Sequence, residues 1–213
     1  MSEKSMQEAF EKYLDELKQI AREEGYDSLD EQFTERLRAR YFGLDVVIGQ
    51  TARVTLREMK MTDLEAFYAF EDALEEPVLQ AFLKESKEAS EEHLKAYLET
   101  MYPLYDYGMW TVEKQNTGEI IGLCGLGRME CQEAECTDLG YYICPKWRNQ
   151  GIATECVEFV LDYAKNYLEF SEVYAIIKEE NRISAGILRR FSFEYMSRMG
   201  ENIVYCKKLA DKE

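Results

Sequence analysis

Apolar residues recur at helical spacing over the first fifty residues of the chain. Phe10, Leu14 and Leu17 follow one another at intervals of four and three, with charged residues between them. We therefore predict a helical extension over residues 1–50 and a single domain over residues 51–213. The extension packs on that domain or on a partner subunit, which leaves a homodimer as an open alternative.

The pattern changes after the extension, where short apolar runs rich in strand-forming residues alternate with amphipathic stretches. Two of these runs are joined by residues 115–118, whose sequence Gln-Asn-Thr-Gly is typical of a hairpin turn. Ser90 and Asn181 are each predicted to cap a helix. The predicted order is strand, two helices, three strands, helix, strand, helix and two strands, which indicates a mixed α/β layer with one sheet.

The charge balance bears on the class of ligand. The formal net charge is −16, from 42 acidic and 26 basic residues. An acidic field of this size repels phosphate backbones, so nucleic acid is not expected as the main ligand. The charge favours cationic partners such as amines, and solubility alone accounts for it equally well.

The chain starts with a charged segment and contains no long uninterrupted apolar run. This pattern predicts neither a signal peptide nor a membrane-spanning helix, and hence a cytoplasmic protein with reduced cysteines. Cys131 and Cys136 do not have the spacing of metal ligands, and His93 is the only histidine in the chain. We therefore predict no metal site.

The most informative stretch, residues 139–154, reads as a strand, a turn marked by Pro145 and a loop of small residues that opens a long helix. The start of a helix carries unpaired backbone N–H groups and a partial positive charge. Because Gly151 and Ala153 lack bulk, a diphosphate can approach those groups closely. Taken alone the pattern is weak, since small residues at such a turn are also common packing devices.

The loop at the start of that helix has the sequence Arg148-Asn149-Gln150-Gly151-Ile152-Ala153. It resembles the acetyl-CoA loop of the GNAT superfamily of acetyltransferases, whose pattern is Arg/Gln-x-x-Gly-x-Gly/Ala. Three further segments are similar to the branch that contains the ribosomal-protein alanine and serine N-terminal acetyltransferases: Leu139-Gly140-Tyr141, Asn181 to Ser184, and Val54 to Glu58. The resemblance covers residues 52–209.

This resemblance has implications for the fold and the reaction. It implies a GNAT fold of the α/β (α+β) class, with a mixed, mostly antiparallel sheet of about six to seven strands flanked by helices. It also implies an N-acetyltransferase that moves the acetyl group of acetyl-CoA to a primary amine. The acceptor would be a small molecule or a protein N-terminus, and no metal would be needed.

The resemblance further implies which residues bind the cofactor. Tyr141, Tyr142 and Ile143 would present main-chain groups to the pantetheine arm and to the acetyl carbonyl. Asn181 would hydrogen-bond the cofactor, cap its helix, or do both. The residues expected at the pyrophosphate, Arg148 through its basic side chain and the others through backbone N–H groups, are Arg148, Asn149, Gln150, Gly151, Ile152, Ala153 and Thr154.

The chain departs from the family pattern at several positions. Asn149 and Ser192 stand where the family often has glycine. Leu188 stands seven residues after Asn181, where many relatives place a tyrosine that protonates the departing thiolate. Ser184 occupies the position of a serine in the ribosomal-protein branch, and it would hydrogen-bond the thiolate or complete the first turn of its helix.

The acceptor amine must lose a proton, because a free alkylamine is almost fully protonated at neutral pH. Asp138 is the candidate general base, at a position that is often acidic in this branch. Glu133 and Glu135 would attract a cationic substrate or belong to a solvated acidic loop. Because Leu188 cannot donate a proton, a coenzyme A-binding sensor or interaction module with little or no catalysis is the alternative.

Overall fold

The computed structural model describes residues 3–25, 28–131 and 134–209. Contacts divide the chain into two compact units, Met1–Val47 and Ile48–Glu213. The helical extension was expected to run to residue 50, whereas Val47–Gln50 is a strand, β1. None of the helices within the described ranges is long and apolar enough to cross a bilayer.

The first unit contains the two helices that the apolar spacing predicts. Helix α1 spans Glu3–Glu23 and helix α2 spans Glu31–Phe42. The ring of Phe10 is fully buried, with its centroid 5.1 Å from that of Tyr41 and 5.5 Å from that of Phe42. Aromatic packing of this kind joins the two helices.

The second unit combines the sheet with five helices. The helices are α3 Asp63–Tyr68, α4 Pro77–Gln80, α5 Lys87–Tyr105, α6 Ile152–Asn166 and α7 Arg182–Arg190. After β1, the strands are β2 Val54–Glu58, β3 Met109–Lys114, β4 Ile120–Cys131, β5 Ala134–Ile143, β6 Glu172–Lys178, β7 Glu194–Met199 and β8 Asn202–Lys208. A 3₁₀ turn, Pro145–Trp147, connects β5 to α6.

The sheet has eight strands in the order β1-β2-β3-β4-β5-β6-β8-β7. It is mixed and mostly antiparallel, as predicted, but it has one strand more than the six to seven expected. The additional strand is β1, which is only four residues long and includes Gly49. Sequence periodicity misses it because a strand so short has no measurable alternation.

Near the centre of the sheet, β5 and β6 form the one parallel pair among the described strands, and they separate along part of their length. The two strands are in register only at Asp138 and Tyr174, whereas β4 and β5 are paired from Gly122–Ile143 to Cys131–Ala134. Beyond Asp138 the edge of β5 that faces β6 therefore has main-chain groups without a partner among the described strands.

The two faces of β5 carry different side chains. Tyr142 faces the α3 side, where its ring lies 5.3 Å from that of Phe70. Tyr141 is directly opposite Cys124 on β4, and Cys124 contacts Cys156 of α6. Because successive side chains of a strand alternate between faces, Tyr141 lies on the α6 side.

The predicted helix caps were right in one case and wrong in the other. The Asn181 side chain accepts a hydrogen bond from the Ser184 N–H at 3.0 Å and caps α7. Helix α5 is capped by Ser86 rather than by Ser90, which is buried inside the helix. There the Ser90 hydroxyl accepts a hydrogen bond from the Lys84 N–H at 2.7 Å. Short polar side chains often form such hydrogen bonds with nearby backbone groups.

Candidate functional site

Helix α6 begins without a side-chain cap. Its N-cap residue, Gly151, has φ 77°, and no side chain accepts a hydrogen bond from the first turn at that position. The N–H groups of a first turn need partners, and an anion is well suited to supply them. The approach is open, because a Cβ at Gly151 would meet only the Arg53 guanidinium, at 3.6 Å. This helix start therefore fits the diphosphate of a cofactor.

A cavity of about 320 Å³ lies at this helix start. Its lining residues are Glu76, Tyr141, Tyr142, Ile143, Trp147, Arg148, Asn149, Gly151, Ile152, Ala153, Thr154, Asn181, Ile183, Ser184 and Ile187. The tertiary structure thus brings together every cofactor residue expected from the sequence except Gln150.

Gln150 does not line the cavity. Its side chain is exposed and donates to the carbonyl of Lys146 at 3.3 Å, while its own carbonyl accepts from the Arg53 guanidinium at 2.7 Å. These contacts turn the residue toward the outside of the loop. The expected contact of Gln150 with the cofactor is through its backbone N–H, which these hydrogen bonds do not engage, so that expectation stays a prediction.

Arg148 lines the cavity, but its charge is engaged by protein groups. The guanidinium donates to Asp72 at 2.6 Å, to Glu76 at 3.2 Å and to the carbonyl of Ile143 at 2.7 Å. Two carboxylates therefore neutralise the side chain that was expected to make the pocket basic. The positive potential at the helix start comes from backbone N–H groups instead.

Two positions where the family often has glycine adopt the left-handed conformation. Asn149 and Ser192 both have φ 60°. Glycine adopts this conformation without steric cost, asparagine does so more readily than most residues, and serine does so at a cost. The two departures therefore differ in conformational cost, which is higher for Ser192 than for Asn149.

A second cavity, of about 960 Å³, lies on the other side of the gap between β5 and β6. Its charged lining residues are Glu75, Glu76, Asp138 and Glu180, with Arg128 and Lys178. Its apolar and aromatic lining includes Val78, Phe82, Tyr97, Met101, Met109, Leu139 and Ile176. A cavity with more carboxylates than basic groups favours a cationic ligand.

Asp138 lies in this second cavity. Burial raises the pKa of its carboxyl group above the ordinary value, and a hydrogen bond with its own backbone N–H partly opposes that rise. The carboxylate faces Tyr97, whose phenol accepts a hydrogen bond from the Met109 N–H at 2.7 Å. Asp138 is half-buried, and a carboxylate with a raised pKa is a stronger base than an ordinary one, as general-base catalysis requires.

The two cavities share four lining residues: Glu76, Tyr141, Asn181 and Ser184. They meet where β5 and β6 separate, beside the first turn of α7. Leu188, one turn beyond Ser184 on α7, is fully buried in the hydrophobic core. A ligand that spans both cavities would thus pass the hydroxyl groups of Tyr141 and Ser184. Leu188 has no hydroxyl group to offer it.

Some lining residues were not predicted from the sequence. Ile183 and Ile187 flank Ser184 on α7, and helical spacing could have indicated Ile187, which is three residues after Ser184. Glu76 lines the cavity, and Asp72 contacts Arg148 without lining the cavity; both come from the segment before α4, about seventy residues before the loop that they contact. Sequence patterns carry no signal for such a long-range pairing.

Two further expectations concern metal binding and the acidic loop. In the described ranges, no group of three or more His, Cys, Asp or Glu side chains could hold a metal ion. Glu133 and the side chain of Glu135 lie outside the described part of the chain. The role of these two glutamates therefore stays a prediction.

Comparisons with known proteins agree with this geometry. Residues 53–194 match the family model described as the acetyltransferase (GNAT) domain. YoaA of Bacillus subtilis (strain 168), described as an uncharacterized N-acetyltransferase, is 29% identical over 152 residues, which cover 69% of this chain and 82% of YoaA.

Solved structures share the fold at low sequence identity. A putative GNAT-family acetyltransferase from Bordetella pertussis has a TM-score of 0.64 at 16% identity, covering 76% of this chain and 98% of that protein. The ribosomal-protein-S5-alanine acetyltransferase from Vibrio fischeri has a TM-score of 0.59 at 18% identity, covering 78% and 98%. The family model spans more than half of the chain, and the expected fold is confirmed. The chain belongs to the GNAT acetyltransferase family and is an acetyl-CoA-dependent acyltransferase.

Proposed function

We propose that the protein moves the acetyl group of acetyl-CoA to a primary amine, which attacks the thioester directly in a ternary complex. One observation carries this proposal. The cavity at the uncapped start of α6 and the cavity that contains Asp138 meet beside Tyr141, Asn181 and Ser184. A thioester that enters from the first cavity would therefore face an amine that enters from the second.

The cofactor supplies the acetyl thioester, and this chain supplies the groups that position it. The N–H groups of Ile152, Ala153 and Thr154 would bind the diphosphate. The main chain of residues 139–143, on the edge of β5 that faces β6, would bind the pantetheine arm in the manner of an added strand. A backbone N–H on this edge would also stabilise the oxyanion that forms at the acetyl carbonyl.

Asp138 would take the proton that the amine must lose. An acceptor enters as an ammonium ion, which the carboxylate of Asp138 attracts and then deprotonates. Because burial raises the pKa of Asp138, the proton transfer is less uphill than it would be to an exposed carboxylate. Asp138 lines the second cavity, which supports a proton acceptor on the amine side of the thioester.

The lining of the second cavity supports a class of acceptor. Its acidic residues favour a cationic amine over an anionic one. Its apolar lining and its volume of about 960 Å³ accommodate either a small amine or the first residues of a polypeptide. The name of the Vibrio fischeri relative, a ribosomal-protein-S5-alanine acetyltransferase, supports a protein N-terminus as one candidate acceptor.

The test is release of coenzyme A thiol from acetyl-CoA in the presence of a panel of acceptors. The panel should include peptides with N-terminal alanine or serine, polyamines, amino sugars and amino acids. We expect acceptor-dependent turnover, and a loss of about 10²–10⁴-fold for Asp138→Asn. Saturable acetyl-CoA binding without turnover on any acceptor would instead favour a sensor, the alternative that Leu188 raises.

A further inference from the structure

The reaction proposed above leaves one charge without an assigned partner. When the C–S bond breaks, the sulfur of coenzyme A carries away the electron pair as a thiolate. The position from which many relatives donate a proton is Leu188, whose side chain is fully buried in the apolar core. The protein needs another group to stabilise the leaving thiolate, and the following inference rests on the proposed acetyl transfer.

Four hydroxyl side chains line the cofactor cavity: Tyr141, Tyr142, Thr154 and Ser184. The Tyr142 hydroxyl already donates to Asp72 at 2.5 Å, on the α3 side of the sheet. Thr154 lies in the first turn of α6, at the diphosphate end, and does not line the second cavity. Tyr141 and Ser184 line both cavities and thus flank the junction where the thioester would lie.

The Tyr141 hydroxyl is a buried donor without a hydrogen-bond partner among the described residues. The Ser184 hydroxyl approaches it and favours its ionised form, although the contact does not have the geometry of a hydrogen bond. A buried polar group that lacks a partner is costly, and native proteins rarely keep one without a function. A ligand atom at the cavity junction would provide the missing partner.

We propose that the Tyr141 hydroxyl donates the hydrogen bond that stabilises the coenzyme A thiolate as it leaves. Ser184 lies beside Tyr141 and orients its hydroxyl toward the sulfur. Tyr141 is thus the catalytic residue on the leaving-group side, and Asp138 is its counterpart on the amine side. The hydrogen bond is made in a site that is shielded from water, where it is stronger than at an exposed position.

The step balances without a further reactant. The amine nitrogen forms the N–C bond, the C–S bond breaks, and sulfur keeps the electron pair. Because the acceptor enters as an ammonium ion, its nitrogen loses two protons. Asp138 passes the first to solvent before the attack, and the ionised Asp138 receives the second as the amide forms, while the proton of Tyr141 stays on its oxygen. Burial raises the pKa of Tyr141 to about 12, so the phenol stays protonated at neutral pH and is always available as a donor. The thiolate of coenzyme A is too weak a base to remove that proton, because its conjugate thiol has a pKa of ~8.5, as in cysteine.

The experiment uses coenzyme A itself, so it needs no knowledge of the acceptor. The thiol of coenzyme A bound to the full-length protein is titrated by the ultraviolet absorbance of the thiolate, with free protein at the same pH as the reference. A donor at the sulfur stabilises the thiolate, so the bound thiol should titrate below free coenzyme A. Tyr141→Phe should raise its pKa by about 1 to 2 pH units.

Tyr195→Phe is the matched control, because Tyr195 is 64% exposed on β7 and lines neither cavity. That variant should leave the titration of bound coenzyme A unchanged. Ser184→Ala should raise the pKa of the bound thiol less than Tyr141→Phe does. With an acceptor in hand, Tyr141→Phe should lower turnover by about 10- to 100-fold at unchanged acetyl-CoA affinity.

The outcomes separate this inference from the proposed function. If coenzyme A does not bind to the wild-type protein, the proposed function fails, and the inference fails with it. If it binds and the Tyr141→Phe complex titrates as wild type does, the proposed function survives and the role of Tyr141 is overturned. If Tyr141→Phe does not fold, the wild-type titration decides: a bound thiol that titrates no lower than free coenzyme A overturns the role of Tyr141.

Discussion

Gly127 on β4 and Asp138 on β5 are directly opposite each other, and a Cβ on Gly127 would lie 2.6 Å from Oδ1 of Asp138. The absence of a side chain at Gly127 thus leaves the room that the carboxylate of Asp138 occupies. Since Asp138 lines the proposed acceptor cavity, this glycine sets the position of the proton acceptor.

Gly127→Ala should displace the Asp138 carboxylate while the protein stays folded, because the obstructed atom is the end of a flexible side chain. We expect turnover to fall by about 10- to 100-fold, since a shift of about 1 Å at a reacting group has an effect of this size. Acetyl-CoA affinity should not change. Gly118→Ala, in the β3–β4 turn, is the control. Wild-type turnover in Gly127→Ala would show that the position of Asp138 does not matter.

Asp138→Asn should make the protein more stable at neutral pH. The folded-state pKa of Asp138 is raised by burial, so ionisation costs more in the folded chain than in the unfolded chain. Wild type therefore loses stability as pH rises through that raised pKa, and the variant does not. The gain should disappear as pH falls toward ~3.9, the ordinary pKa of an aspartate.

Urea unfolding at several pH values measures this effect. Asp15→Asn, on the exposed face of α1, should show no comparable gain. An Asp138→Asn variant less stable than wild type at neutral pH would contradict the prediction. It would mean that the carboxylate is held by favourable contacts rather than kept for function.

Gly151→Val should abolish the rise in melting temperature that acetyl-CoA produces in wild type. A ligand that binds only the folded state stabilises it by mass action, and the new side chain would stand between the diphosphate and the N–H groups of α6. Gly118→Val is matched, since both glycines have positive φ (77° and 67°) in open surroundings. Both variants should lose stability, but only Gly151→Val should lose the response to acetyl-CoA. A retained response would remove the helix start from the binding site.

Ser192→Gly should stabilise the protein. Serine at this position has φ 60°, a conformation that costs an ordinary L-residue about 1–2 kcal/mol and glycine nothing of that kind. Glycine also has greater chain entropy in the unfolded state, which offsets part of this effect. We therefore expect the free energy of unfolding to increase by about 1 kcal/mol. Ser192→Ala keeps the Cβ and should show no gain. Denaturant unfolding measures the stabilities of the two variants. Equal values would show that the backbone at Ser192 is not strained.

The family, most of the strands and the loop that starts α6 can be predicted from the amino-acid sequence alone. These features are local: apolar periodicity reports which side of an element is buried, and the motif from Arg148 to Ala153 reports a backbone shape that few residue types allow. Strand β1 was missed because four residues carry too little periodicity. Ser90 was assigned as a cap because a side chain that competes for backbone groups looks the same in sequence as one that caps.

The electrostatics and the chemistry of the site cannot be predicted in this way, because they depend on the tertiary fold. Arg148 appeared as a free cation in the sequence, but it pairs with Asp72 and Glu76 from a distant segment. Likewise, nothing local shows that the Tyr141 hydroxyl is buried beside Ser184 without a hydrogen-bond partner in the described part of the chain. Which segments lie close together in space decides charge pairing, desolvation and hydrogen-bond satisfaction. In this protein, the two cavities meet where β5 and β6 separate beyond Asp138.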